Sequence, residues 1–180
     1  MALSNFGYHL FVEPFENSGT IPASLSHEVS GILSVDLGGI TKNVQAYHTL
    51  DGNGFETVVS LGQAVDDGVI SCLRTGEGDI YLHEEIEGSA FSYFSKWIDE
   101  STEQGGANSE RWLVEVVPRG TGYEAKAYAV IPQNFKPGTK SADGGQTFSL
   151  TVKPFGRPVP VKVTESEGNF TIEKIANSEA

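Results

Sequence analysis

Between Trp112 and Val163 apolar and polar positions alternate with a period of two. Trp112, Val114 and Val116 share one parity, Tyr123, Ala125, Ala127, Ala129 and Ile131 the next, and Phe148, Leu150 and Val152 a third, each opposed by more polar residues. Successive side chains of a strand point to opposite faces, so the pattern predicts half-buried antiparallel strands near 111–117, 122–131 and 146–153. Further strands are expected near 158–163 and 169–175, and Pro118 to Gly122 is a link of hairpin length. Upstream, Val44, Ala46, His48 and Leu50 share a parity, Asp51-Gly52-Asn53-Gly54 forms a turn cluster, and Phe55 to Leu61 resumes as extended chain, which predicts a hairpin. Val69 to Arg74, set between Asp66-Asp67-Gly68 and Gly76-Glu77-Gly78-Asp79, is a further extended segment.

One stretch breaks the period of two. Ile86, Ala90, Phe94 and Trp97 with Ile98 recur every three or four residues, Phe91 widens the stripe, and Gly105-Gly106 offers a stop, predicting a helix near 88–102. Ser89 is placed to cap it, and Glu84, Glu85 and Glu87 lie where the positive end of aligned peptide dipoles favours carboxylates. Phe91, Phe94 and Trp97, together with Trp112 and Phe148, are the candidate core-packing residues. Residues 1–40 carry only the short apolar patch Tyr8 to Val12 in a Gly/Ser-rich context and are expected as an N-terminal arm or long loop outside the core. Residues 41–175 form the expected β domain, with Gln133 to Gly145 as a loop inside it and 176–180 as a flexible C-terminus. The fold class read from this pattern is mainly β: an antiparallel β-sandwich or barrel with one flanking α-helix and extended loops.

Composition narrows the functional classes. The chain has 180 residues, enough for one sizeable core, and its 21 glycines fit a turn-rich β protein. No apolar run approaches the roughly 20 residues of a membrane span, so no membrane binding is expected. Met1 to Asn5 lacks the basic start and apolar run of a secretory signal, and the single Cys72 forms no internal disulfide, so folding in a reducing cytosol is the expectation. The formal charge is −12, and Glu56 to Glu103 holds eleven acids (Glu56, Asp66, Asp67, Glu77, Asp79, Glu84, Glu85, Glu87, Asp99, Glu100, Glu103) against Arg74 and Lys96. Such a chain lacks the cations that displace counterions from phosphates, so ordinary nucleic-acid binding is not expected.

Motifs for catalysis are missing too. The four histidines and Cys72 show none of the close spacings of zinc sites, and no nucleophile elbow, P-loop or dinucleotide fingerprint is present. Asp51-Gly52-Asn53-Gly54 begins like a calcium loop but lacks the later ligands and the closing Glu. The expectation is a protein that is not an enzyme and needs no cofactor or metal.

The order of elements, the Phe91-x-x-Phe94-x-x-Trp97 stripe, and the segments Trp112 to Val117, Tyr123 to Ile131 and Thr147 to Pro158 ending in Phe155-Gly156-Arg157-Pro158 resemble the tail tube protein, or major tail protein, of long-tailed bacteriophages over about residues 40 to 165. The resemblance implies a β-sandwich with a flanking helix, assembly into hexameric rings, and stacking of the rings into the hollow tube through which the genome leaves the virion. It also implies other copies of the chain, a tape measure protein, a tail terminator and baseplate proteins as partners, with DNA present only in transit. The implied location is the virion tail, after assembly in the host cytoplasm. A related fold makes the tube of type VI secretion.

The residues carry part of this reading independently. Strands in the 41–74 region have little apolar surface to bury on both faces, and exposed edges invite pairing with another copy. Glu56, Asp66, Asp67, Glu77 and Asp79 are the candidate lumen-lining acids, since an acidic wall repels duplex DNA and lets it slide. Lys136 and Lys140 mark the candidate inter-ring loop, and residues 1–40 a second contact segment. The alternative is a monomeric β-sandwich binding module of carbohydrate or adhesion type, with Trp97 and Trp112 as ligand platforms.

Overall fold

A computed structural model describes residues 7–15, 20–29, 31–48, 56–74, 90–103, 109–138 and 146–173. Its elements in chain order are β1 (His9–Pro14), β2 (Ser24–Leu25), β3 (Ile32–Asp36), β4 (Ile40–His48), β5 (Glu56–Val65), β6 (Gly68–Arg74), α1 (Ala90–Glu103), β7 (Arg111–Arg119), β8 (Gly122–Lys136), β9 (Gln146–Pro154), β10 (Val159–Ser166) and β11 (Asn169–Glu173). All strand pairings are antiparallel, and α1 is the one helix among the described residues, so the architecture is the mainly β fold that the alternation predicts.

The long strand β8 organises the fold. Along one edge it pairs with β7, from Arg111↔Val130 to Arg119↔Gly122. Along the other it pairs with β10 through Ala125 to Ala127 and then with β9 from Val130 onward. The two halves of β8 therefore belong to different layers. Its first half lies in the order β1-β7-β8-β10-β11-β2, and its second half in β8-β9-β6-β3. The first layer curls until its ends meet, because Phe11 of β1 bridges Glu28 just after β2, and the His27 carbonyl and Val29 amide bond to Val12 and Leu10.

Each layer encloses a core. Phe11, Leu25, Trp112, Val114, Val116, Ala125, Ala127, Val161, Val163, Phe170 and Ile172 fill the curled first layer. Leu10, Val12, Leu113, Tyr128 and Val130, from the outer face of that layer, pack against Ile70, Cys72, Phe148, Leu150 and Val152 of the second layer and against Phe94 and Trp97 of α1. The first half of β8 is half-buried as the alternation predicts, with Glu124 and Lys126 exposed, but Trp112 to Val114 of β7 and Ala127 to Val130 of β8 are covered on both faces, with Leu113 and Val130 fully inaccessible. The second layer covers the face that alternation alone leaves to solvent.

Residues 1–40, expected as an arm, also differ from expectation. Leu10, Phe11 and Val12 are at most 2% exposed and contribute to both cores, and β2 and β3 belong to the same sheet. Three consecutive apolar residues fit a strand covered on both sides, a pattern that lacks the two-residue period. Gln133 to Lys136, expected in a loop, continue β8, and Pro132 and Gln133 fall at an irregularity where the β9 register shifts. Beyond them Gly138 adopts φ +81, and a Cβ there would sit 1.5 Å from the Thr147 carbonyl oxygen, so only glycine fits this approach.

The helix begins at Ala90; Glu84, Glu85, Glu87 and Ser89, read as its flank and cap, lie outside the described residues. Phe94 and Trp97 are buried, and Phe91 is half-buried, its ring 5.3 Å from those of Phe135 and Phe148. Burying each such ring contributes on the order of 1.5–3 kcal/mol. The Trp97 indole N–H donates to the Ser109 carbonyl at 2.7 Å, and the Arg111 guanidinium lies 5.8 Å from the Trp97 ring centre, tying the helix to the start of β7.

A buried carboxylate holds the first layer closed. Glu13 is 2% exposed; its Oε1 accepts the amides of Ser26 and His27 at 2.7 and 2.9 Å, and its Oε2 contacts His27 Nδ1 at 2.7 Å. Glu13→Ala leaves these donors unsatisfied and should lower unfolding stability in urea by about 3 kcal/mol or more, with Glu13→Gln costing less. Burial pushes the Cys72 thiol up to about 12. Native protein should therefore resist iodoacetamide at neutral pH, and mass spectrometry should detect alkylation only after denaturation.

Candidate assembly surface

The hairpin β4–β5 is a separate two-stranded sheet that packs substantially on no other named element. Its pairing runs from Ile40↔Val65 at the base to His48↔Glu56, with a bulge beside Asn43 where Gly62 takes φ +131. Ile40, Lys42 and Val44 alternate onto one face of β4 and are all exposed, Ile40 at 54% and Val44 at 60%. Thr41, Asn43 and Gln45 give the opposite face a polar character. An isolated two-stranded hairpin is at best marginally stable in water, so this element has the composition and exposure of a surface awaiting cover.

The candidate lumen acids separate along this hairpin. Asp66 and Asp67 sit exposed at its base, in the turn to β6, close in sequence register to the exposed Asp36 that ends β3. Asp66 is also structural: its side chain accepts the Thr41 hydroxyl and its amide donates to the Gly39 carbonyl at 2.7 Å. Glu56 begins β5 at the far end, roughly 30 Å away at about 3.3 Å per residue. Glu77 and Asp79 lie outside the described residues. Lys136 is exposed at the end of β8, and Lys140 lies outside the described residues.

A second feature was not legible in the sequence. Where the two layers diverge, a half-open cavity of about 610 Å³ lies between β3 and the ends of β1 and β7. Ile32, Val35 and Val117 give it apolar walls, and Tyr8, Glu28 and Glu115 give it polar groups. Glu115 shares the inward parity of Leu113 and Val117 on β7, so the strand that builds the core also delivers a carboxylate to this opening. Tyr8 donates its hydroxyl to Glu115 Oε2 at 2.9 Å, and Glu28 engages His9 Nδ1 through Oε1. Burial raises Glu115 above the usual carboxylate range, although the Tyr8 hydrogen bond and the charge of Lys126, its partner across the ladder, act the other way. Burial and the Glu115 charge raise the Tyr8 phenol strongly and push Tyr128 up to about 12.

Elsewhere the geometry offers little for catalysis or ligand stacking. Glu13, Ser26 and His27 have the residue types of a catalytic triad, but the Ser26 hydroxyl at 3.1 Å and Glu13 Oε2 at 2.7 Å both meet the same ring atom, His27 Nδ1. A relay needs the acid and the nucleophile on opposite ring nitrogens. Trp97 and Trp112, the platforms of the alternative binding-module reading, are 2% and 5% exposed. No group of three or more metal-ligating side chains occurs among the described residues, nor any helix long and apolar enough to cross a membrane.

The overall fold, two layers sharing β8 with a packed helix and a hairpin, has counterparts among solved structures. No protein-family model and no curated protein matches the chain. Among solved structures, a chain of the anti-feeding prophage cap, the AFP tube-terminating cap, matches with a TM-score of 0.59 over 90% of this chain and 92% of that one, at 11% identity. A chain of the six-fold symmetrised anti-feeding prophage baseplate matches with a TM-score of 0.55 over 88% and 95%, also at 11% identity. The similarity spans nearly the whole of each chain and is one of fold.

The raised Glu115 sets a pH dependence. Below its ordinary value of 4.5 the group is protonated in folded and unfolded chains alike, and as pH rises through the higher native value its charge must be carried in a partly buried place. Its contribution to stability is therefore present at low pH and lost on the way up. Glu115→Gln keeps an acceptor for Tyr8; its melting temperature should exceed that of the parent at pH 7 and converge with it below about pH 4 in scanning calorimetry.

Proposed function

We propose that the chain is a structural subunit of a phage tail or tail-like particle, and that copies of it form hexameric rings stacked into a hollow tube. The observation that carries this reading is the β4–β5 hairpin, a two-stranded element with exposed apolar residues and no cover of its own. The fold likeness to chains of a tube-terminating cap and a baseplate supports it. Edges and an uncovered face are completed when neighbouring copies join head to tail until rotation closes a ring. The role is structural, not catalytic, and calls for no cofactor.

In this reading the channel is acidic and carries DNA during ejection into the host. The chain's charge of −12 and the carboxylates along β5 and its turn to β6 give the wall its sign. Duplex DNA carries about one charge per 1.7 Å of axis, so an acidic wall keeps it moving where a basic one would hold it. The tape measure protein, tail terminator and baseplate proteins are the further partners, and the virion tail is the location.

Concentrated protein seeded with tail-initiation components should polymerise into cylinders with a central channel in negative-stain images; failure to polymerise at any concentration overturns the proposal. Glu56→Lys with Asp67→Lys spares the Asp66 contact to Thr41. Virions carrying both changes should show tails of normal length yet deliver DNA at least about tenfold less efficiently. Unchanged infectivity would remove the acidic wall from the account.

A further inference from the structure

We propose that the cavity between the two layers is a socket for the β4 face of a neighbouring copy, with Lys42 set between Glu28 and Glu115. This deepens the tube reading and rests on it. The two surfaces match in chemistry. The β4 face presents an apolar residue, a lysine and an apolar residue in succession, Ile40, Lys42 and Val44, all exposed. The cavity presents the inverse, two carboxylates between apolar walls, with no lysine or arginine among its described lining residues.

Glu28 already engages His9 and Glu115 accepts from Tyr8, yet both surfaces keep room for a further contact. Among the described residues the hairpin packs substantially on no other named element, and a cavity of about 610 Å³ has room for one long side chain and the apolar residues flanking it. Lys126 stands across the ladder from Glu115, yet burial still outweighs it and keeps the carboxylate raised, so a second cation would be well received there. A lysine stem lies along apolar surface while its ammonium reaches a carboxylate, which suits these walls. Because every copy carries both the socket and the inserted face, the contact can run head to tail and so repeat around a ring or along a stack, as the tube reading requires.

The test uses assemblies grown from an equal mixture of ¹⁵N-labelled and unlabelled full-length chain, treated with a zero-length carbodiimide and read by mass spectrometry. Mixed-isotope cross-links joining Lys42 to Glu28 or Glu115 are expected. Lys42→Glu should abolish them and reduce the assembled fraction about tenfold or more, while leaving the circular dichroism and melting temperature of the subunit unchanged. Glu28→Lys added to Lys42→Glu should restore assembly. Normal assemblies that lack these cross-links and are indifferent to Lys42→Glu overturn the socket and leave the tube reading standing; a parent chain that never assembles overturns the tube reading itself.

Discussion

The fold depends on one constraint, that β1, β7 and β8 must satisfy a core on each face at once. Leu10 and Val12 face one core while Phe11 between them faces the other, and on β7 Leu113 opposes Trp112 and Val114 in the same way. Neither core closes without these strands. Such a layer tolerates no one-residue slip, since a slip would exchange the two sets of side chains. The register is pinned at the outer side by Glu13, which fastens β1 to the segment that returns from β2. A carboxylate accepting backbone amides in a dry place makes strong, directional bonds, so the closure is specific as well as stable.

This arrangement explains why the second layer ends openly. β8 passes its second half to β9, β9 pairs with β6, and β6 with β3, after which no strand follows in the order. The chain between β3 and β6 is spent on the hairpin, whose described side chains belong to neither core. Ordering a residue costs on the order of 1–2 kcal/mol, and Ile40 to Gln45, all exposed, recover little of that by burial. A second copy that covers the hairpin supplies the missing term, and on this view assembly and hairpin order are linked: the free energy of one is part of the free energy of the other.

Alternation made β7, the first half of β8, β9 and the hairpin strands legible, because each has one face less apolar than the other. It misled where burial is two-sided. Tyr8 to Val12 is a continuous apolar run, the signature of a strand covered on both faces, and in a Gly/Ser-rich setting it reads as a loop. Pro132 and Pro137 flank Gln133 to Lys136, the start of the stretch Gln133 to Gly145 that reads as a loop, yet a register shift lets β8 run on to Lys136. The Glu13–His27 clamp joins residues 14 apart through a turn, and the Tyr8–Glu115 pair joins residues 107 apart. Side-chain meetings at that range follow from topology, which periodicity does not encode. The only hint was Glu115 itself, a carboxylate on the same parity as Leu113 and Val117.

Electrostatics decides how such a chain can associate at all. Copies that each carry a charge of −12 repel at long range, with a screening length of about 8 Å at physiological salt, so contacts must form over short distances and between matched groups. Two exposed cations are already committed within the chain: Arg119 to Glu124 at 2.7 Å and Lys162 to Glu173 at 3.2 Å. Lys42 differs from them in lying between two exposed apolar residues, Ile40 and Val44. In the proposed contact, apolar surface supplies adhesion and a lysine opposite two carboxylates supplies direction, since socket against socket would set carboxylate against carboxylate. Direction is what a tube needs from its subunits: a face that joins only to the back of the next copy grows one polar filament, whereas a self-complementary face stops at a dimer.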